Sequence, residues 1–311
     1  MSELSVKEAA EKWGLSSQMV RYYCRNGRIP SAYQTVQGWM IPESAERPDK
    51  ATTNEEEIIP LLARKLRNQK SKKNYHGLYD YTQIYLTYCS SRMASNRLSK
   101  DQVELIYRKG KVISKFEPVK VSDCVEVLNH FVCIDYILEN VMAPLTQRFF
   151  QKLHYILMFG TVDERRGRVT PGEYRSPTVK RAGRALIPSQ NIPAALRAAI
   201  EDYESIEDIN LNDILNFHVE FERVFPFQDG NGRIGRLIMF KECLRHSIMP
   251  FVLDDKRRGR YLDGIEKWGS RRKVLTTVVE EAQSRFEHQI ELHALHQHGQ
   301  NFLPEGYEDF E

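Results

Sequence analysis

The 311-residue chain carries 45 Lys and Arg against 42 Asp and Glu, a formal net charge of +3, with 41% hydrophobic and 28% charged residues. That balance fits a soluble globular protein with one substantial core plus a small module, and it argues against polyanion binding driven by bulk charge. No apolar run approaches the roughly 20 residues that span a membrane. The N-terminus shows no secretory signal, and five scattered cysteines without metal spacing (Cys24, Cys89, Cys124, Cys133 and Cys243) indicate reduced thiols, so a cytoplasmic location is expected.

Residues 1–48 read as the small module. Ser5 or a neighbour can cap a helix through VKEAAEKWG, with Gly14 as its stop. Ser16 or Ser17 can cap a second helix, SQMVRYYCRNG, and RIPSAYQTVQGWMIP then reads as a short hairpin. Two helices and a hairpin predict a winged helix-turn-helix. The whole stretch is similar to MerR and excisionase-like DNA-binding modules. In such modules the second helix enters the major groove. The resemblance makes Ser17, Gln18, Arg21, Tyr22 and Arg25 the exposed DNA-reading face, with Val20 and Cys24 inward. Acids balance bases in this module, so DNA is the expected partner only of a homodimer, and a winged domain turned to protein contacts is the alternative.

Residues 49–75 read as a polar linker followed by a helix ending in a basic run, and that run reads as solvated surface. Helical periodicity then recurs in YDYTQIYLTYCSS, KDQVELIYRKG, SDCVEVLNHFVCIDYILENV, TQRFFQKLHYILMFG, LNDILNFHVEFERV and RIGRLIMFKECLRHS. Strand-like alternation is scarce, so the fold class is mainly α. The last helix carries His288, His293, His296 and His298. The His293 and His296 spacing suits a metal pair, but no acid or cysteine completes a site, and a solvated helix end is the better reading. Residues 286–311 form that end and an acidic tail.

The most informative stretch is FHVEFERVFPFQDGNGRIGR, from Phe217 to Arg236. Gly230 and Gly232 permit positive φ and close backbone approach to a ligand. A helix starting near Asn231 would aim free N–H groups and its dipole at an anion. Arg233 and Arg236 lie one turn apart and can share one phosphate chain. Asp229 is a hard oxygen ligand suited to Mg²⁺. The alternative is an ordinary turn between two core helices.

FPFQDGNGRIGR resembles the Fic (Fido) family motif HPFxxGNGRxxR and departs only at its first position, Phe225. VTPGEYR (Val169 to Arg175) looks like the family's flap hairpin, with Gly172, Glu173, Tyr174 and Arg175 placed to dock a target segment. SSRMASN resembles the inhibitory motif [ST]xxxE[GN], with Ser90 retained, Ala94 where the glutamate stands and Ser95 where glycine or asparagine stands. The resemblance covers roughly residues 55–285, with the Fic domain and its inhibitory-type helix at 76–285. It implies a helical bundle with a small flap hairpin that transfers AMP from ATP, with Mg²⁺, to a hydroxyl of a target protein. Gly230, Asn231 and Gly232 would form the anion hole. Arg233 would meet the α and β phosphates, and Arg236 the γ phosphate.

In active relatives the first motif residue is the general base, and Phe225 cannot accept a proton. His218 lies two helical turns before it, roughly 10 Å away, and reads as a core histidine. Asp229 is close in sequence, but its expected role as a metal ligand competes with acting as a base. Two functional readings stay open. One is a Fic-type nucleotidyltransferase scaffold whose catalysis is lost or severely weakened. The other is a nucleotide-sensing pseudoenzyme coupled to a DNA-binding head and acting without transfer.

Overall fold

The computed structural model describes residues 3–25, 28–29, 31–35, 38–48, 59–73, 76–113, 118–176 and 186–297. By its internal contacts the chain divides into two units, one of residues 1–65 and 132–248, the other of residues 66–131 and 249–311. Among the described residues, helices carry both units, and no helix is long and apolar enough to cross a membrane.

The first unit begins with β1 (Glu3–Ser5), α1 (Val6–Trp13), α2 (Ser17–Arg25), β2 (Tyr33–Thr35) and β3 (Gly38–Pro42). Ser5 and Glu8 form a reciprocal capping box at the start of α1, and Gly14 closes it at φ +63°. Met19 N–H donates to Ser16 Oγ at 3.2 Å, so Ser16 caps α2. The apolar positions Val6, Ala9, Ala10 and Trp13 recur at helical spacing and meet Val20, Tyr23, Cys24 and Ile41 in one small core. Each large side chain buried there contributes about 1.5–3 kcal/mol. The expected hairpin pairs Tyr33 with Met40 in antiparallel register. A third strand, β1, was not expected. It pairs with β3, Glu3 opposite Pro42, and gives the sheet order β1-β3-β2. At three residues, β1 is too short to show alternation.

The same unit contains α7 (Gln147–Met158), the short α8 (Val162–Arg165), α9 (Ile192–Glu204), α10 (Leu211–Val224) and α11 (Asn231–Arg245). The central helix α11 is buried on all sides, from Arg233 to Leu244. Two charges inside it are satisfied rather than solvated. Lys241 Nζ meets Glu242 Oε1 at 2.6 Å and donates to the Ala143 carbonyl at 2.7 Å. Glu242 also accepts from the Tyr203 hydroxyl and from Arg245. Burial alone would raise the Glu242 carboxyl, but Lys241, His246 and Arg245 outweigh it and hold it at about 2. The ionised cluster stands because both Glu242 oxygens accept from neighbouring donors.

The second unit is built from α3 (Leu61–Ser71, beginning at Leu66 in this unit), α4 (Leu78–Met93), α5 (Lys100–Lys109), α6 (Val121–Glu139, up to Phe131), α12 (Arg258–Glu266) and α13 (Lys273–Gln297). Ile84, Leu98, Val103, Ile106, Val127 and Phe131 form a core here. Gly264 lets α12 press on α13, since a Cβ there would lie 2.8 Å from Leu275 Cα. Helices α9 and α12 lie in stretches where the sequence pattern marks none. Residues 49–58 of the linker, with the tail from 298 onward and so His298, lie outside the described residues.

Candidate functional site: a phosphate cradle with a buried scaffold

Helix α10 ends because Phe225 turns the chain into the left-handed region (φ +48°, ψ +61°), its N–H still bonded to the Phe221 carbonyl at 3.0 Å. A bulky residue at positive φ is strained by about 1–3 kcal/mol and persists only where neighbours hold it. Arg175 is the holder. Its backbone N–H donates to the Pro226 carbonyl at 2.8 Å, its Nε to the Phe225 carbonyl at 2.8 Å, and its Nη2 to the Ile187 carbonyl at 2.7 Å. Arg175 is only 5% exposed. Its guanidinium is therefore bound to the backbone of this loop. Its neighbour Tyr174 donates its hydroxyl to Gln147 Oε1 at 2.7 Å. Among the described residues the 169–176 segment holds a turn, Glu173 N–H to the Thr170 carbonyl, and no strand.

Beyond Pro226 the loop is locked by Asn231. Its Oδ1 accepts from Phe227 N–H at 2.9 Å and its Nδ2 donates to the Phe227 carbonyl at 2.7 Å. The Asn231 side chain thus shapes the loop. Gly230 (φ +80°) precedes α11, and no side chain caps that helix. Its first-turn N–H groups therefore lack an intrahelical partner, which is the arrangement that binds phosphate. Asp229 stays 55% exposed, accepts from Gly230 N–H at 2.6 Å and pairs with Arg233 at 3.1 Å. Arg233 and Arg236 are buried at 2% and 7% exposure.

Three neighbours of the loop carry no sequence signal of function, or carry a misleading one. His154 on α7 is fully buried and stacks face to face on Phe227, centroids 4.0 Å apart and planes within 7°. Its Nδ1 accepts from Gly172 N–H at 2.8 Å, which places its proton on Nε2. Burial pushes this imidazole down to about 4 against the pull of nearby Asp229. Gly230 also rests on α7, where a Cβ would lie 3.1 Å from Leu157 Cδ2. One helix face therefore seats both the 172 turn and the anion loop. Glu222, buried on α10, is the second. A Cβ on Gly232 would lie 3.0 Å from Arg236 Nη1 and 3.8 Å from Glu222 Oε1, so a guanidinium and a carboxylate both lie against Gly232. Its position one turn after His218, on the inner face of the helix, was the available clue. Arg175 is the third, since its place in the flap motif suggested a target contact.

His218 is a core residue, 1% exposed, packed so closely on Gly235 that a Cβ there would meet its ring at 2.7 Å. Burial and the charge of Arg236 push it down to about 3. Ser90 is buried, while Ala94 closes α4 and Ser95 follows at φ +72°, all in the second unit. No cluster of three or more metal-binding side chains occurs among the described residues. His293 Nδ1 bonds the Gln289 carbonyl, and the His296 side chain lies outside the described residues.

The DNA-reading face needs a correction. Arg21, expected on the exposed surface, is 8% exposed and forms an ion pair with Asp208. Its face of α2 is covered by the turn between α9 and α10, a long-range contact that helix periodicity cannot show. Ser17 is partly buried, and the side chains of Gln18, Tyr22 and Arg25 lie outside the described residues. Val20 and Cys24 point inward as expected.

Residues 144–243 match the Fic/DOC family model. Over 142 residues the chain is 28% identical to a protein adenylyltransferase Fic of Drosophila mojavensis, covering 43% of this chain and 27% of that protein. It thus spans about a quarter of that relative's length. Its fold is similar to that of a Fic domain containing signaling protein from Bacteroides thetaiotaomicron, with a TM-score of 0.62 at 19% identity, over 78% of this chain and 99% of that one. Fic-1 from C. elegans is similar at a TM-score of 0.57 and 16% identity, over 74% and 70% of the two chains. Residues 144–243, which carry the uncapped helix, the paired arginines and Phe225, are therefore the part of the chain that is similar to the Fic/DOC family.

Proposed function

We propose that this chain is a Fic-type nucleotide-binding protein that holds a nucleoside triphosphate, ATP by preference, in the 229–236 loop with severely weakened AMP transfer. One observation carries the reading: the uncapped start of α11 and the arginines Arg233 and Arg236 serve one loop, while the half-buried residue that opens the motif, Phe225, has no proton-accepting atom. The likeness to a protein adenylyltransferase favours AMP as the group moved. Asp229 would hold Mg²⁺. A single exposed carboxylate suits that ion, which is commonly bound by one or two carboxylates plus phosphate oxygens and water.

Transfer to a hydroxyl forms an O–P bond at the α phosphate, breaks the bridge to the β phosphate and releases pyrophosphate. The hydroxyl proton then needs an acceptor. A missing base costs about 10²–10⁴ in rate. His154, at about 4, and His218, at about 3, are far too weak as bases at neutral pH, and His154 already spends its free lone pair on Gly172. Positioning and charge stabilisation in the cradle remain.

The second reading, a nucleotide sensor that acts through its N-terminal module without transfer, is favoured by the contact between α2 and the turn before α10. Labelled ATP with Mg²⁺ separates the two. Label on the protein or on a lysate component that vanishes in Arg233→Ala supports transfer. ATP-dependent thermal stabilisation without label supports sensing, because a ligand binding only the folded state raises its stability. No stabilisation at millimolar ATP sinks both.

A further inference from the structure

The strongest cation outside the cradle whose surroundings call for explanation is Arg21, in the middle of α2. Its partners come from far along the chain. Its Nη2 donates to the Glu207 carbonyl at 3.4 Å and it pairs with the Asp208 carboxylate. Beside it, Lys7 on α1 meets Glu207 Oε2 at 3.2 Å. Arg21 is 8% exposed, while the Glu207 and Asp208 side chains remain 64% and 52% exposed. The acidic turn lies over both helices and keeps its outer faces in water.

The turn is held at both ends. Before it, Glu204 forms a two-pronged pair with Arg245 at 2.7 and 3.0 Å and accepts from Leu145 N–H. After it, Ile209 is buried and Asn210 caps α10 through a reciprocal box with Asp213. Two acids are thus presented to α1 and α2 from a fixed position, with little ordering entropy left to lose on contact.

A guanidinium on the second helix of a winged two-helix module is the kind of group that grips a nucleic-acid phosphate. Here a carboxylate and a carbonyl of the same chain supply the oxygens. We propose that the Glu207–Asp208 turn is an internal phosphate mimic that covers α2, and that duplex DNA competes with it for Arg21 and Lys7. The inference stands independently of the nucleotide reading. It accounts for a second helix whose central arginine is buried in a chain with a winged module. It also means that two of the module's cations, Lys7 and Arg21, are already paired in cis.

The test uses the full chain, a labelled mixed-sequence duplex and fluorescence anisotropy across a salt series. In Glu207→Gln/Asp208→Asn, DNA affinity should rise at least about tenfold, because repulsion and competition go together. The slope of log K against log salt should steepen by about 1–2, the change expected when one or two further phosphates are neutralised. Adding Arg21→Gln should remove most of the increase in affinity. A double variant that binds no tighter than wild type, or fails to bind, overturns the proposal. So does an increase that survives Arg21→Gln, since surface charge alone would then be its cause. A comparable increase with single-stranded RNA but none with duplex DNA would overturn the assignment of the partner.

Discussion

Replacing Arg175 with alanine puts the loop scaffold under direct test. The substitution removes two hydrogen bonds from a charged donor, to the carbonyls of Phe225 and Ile187 at 2.8 and 2.7 Å, and leaves the backbone bond to Pro226 intact. Bonds to charged groups contribute about 1.5–3 kcal/mol each. Ile187 is only partly buried, so water can replace one partner, and the lower end applies. The expected loss is about 3 kcal/mol, or roughly 6–12 °C in melting temperature for a unit of this size. The left-handed Phe225 has then lost its clamp, and the anion loop that follows it loses its preset shape. Mg·ATP affinity should fall at least about tenfold, the equivalent of 1.4 kcal/mol. Differential scanning fluorimetry and titration calorimetry read the two effects. Arg175→Lys should recover part of both, because a single ammonium reaches one carbonyl and not two. An Arg175→Ala protein with unchanged melting temperature and unchanged ATP affinity would refute the clamp.

Phe225→His should restore label transfer from ATP, by about 10²–10⁴ over wild type; a variant that binds ATP and stays inert would show that more than the base is missing. Gly230→Ala, which forces a Cβ to within 3.1 Å of Leu157 at φ +80°, should cost about 1–3 kcal/mol and weaken nucleotide binding; unchanged calorimetric affinity would count against the loop geometry. Glu242→Gln should destabilise by about 3–5 kcal/mol by leaving Lys241 uncompensated, measured by urea unfolding. For pH, the folded His218 is depressed to about 3 against an ordinary value near 6.5. The unfolded chain binds its proton first, so the stability from this residue is full above about 6.5 and is lost as pH falls toward 3, by up to about 1.4 kcal/mol per unit. His218→Asn should flatten the pH 7 to pH 5 difference in urea stability by about 2 kcal/mol, and an unaltered difference would mean the residue is not buried neutral.

What the sequence shows and what it hides divide along physical lines. Period and capping are local. Ser5 and Ser99 start, and Gly14 and Gly110 end, their helices where the residue types say they should, and the glycines and arginines of the 229–236 loop mark the cradle by spacing alone. Helix α9 is harder, because its run of small residues gives a diffuse apolar face and its start is set by a 3-10 turn and Pro193. Contacts between distant segments leave no period at all. Arg21 reads as an exposed basic residue on a helix face until the turn at Glu207 arrives from 186 residues away. Arg175 has the opposite history, with a motif that marks its position but not its direction.

The loop also shows why the residue at 225 can change while the cradle stays. The bonds to Arg175 and Phe221 reach position 225 through its backbone, and the others that hold the loop come from side chains elsewhere. Arg175 grips its carbonyl, Asn231 bonds the backbone of Phe227 on both sides, and His154 stacks on the Phe227 ring while seating the 172 turn. The Arg175 clamp acts on the backbone carbonyl at 225. The demand is for a residue tolerated at positive φ by its surroundings, and Phe225 meets it at the cost of strain that the clamp absorbs. Chemistry at 225 and phosphate binding at 229–236 are therefore separable by the architecture of the loop. A substitution at Phe225 should alter transfer and leave nucleotide affinity nearly fixed, whereas one at Arg175 or Asn231 should weaken nucleotide binding even with a histidine restored at 225.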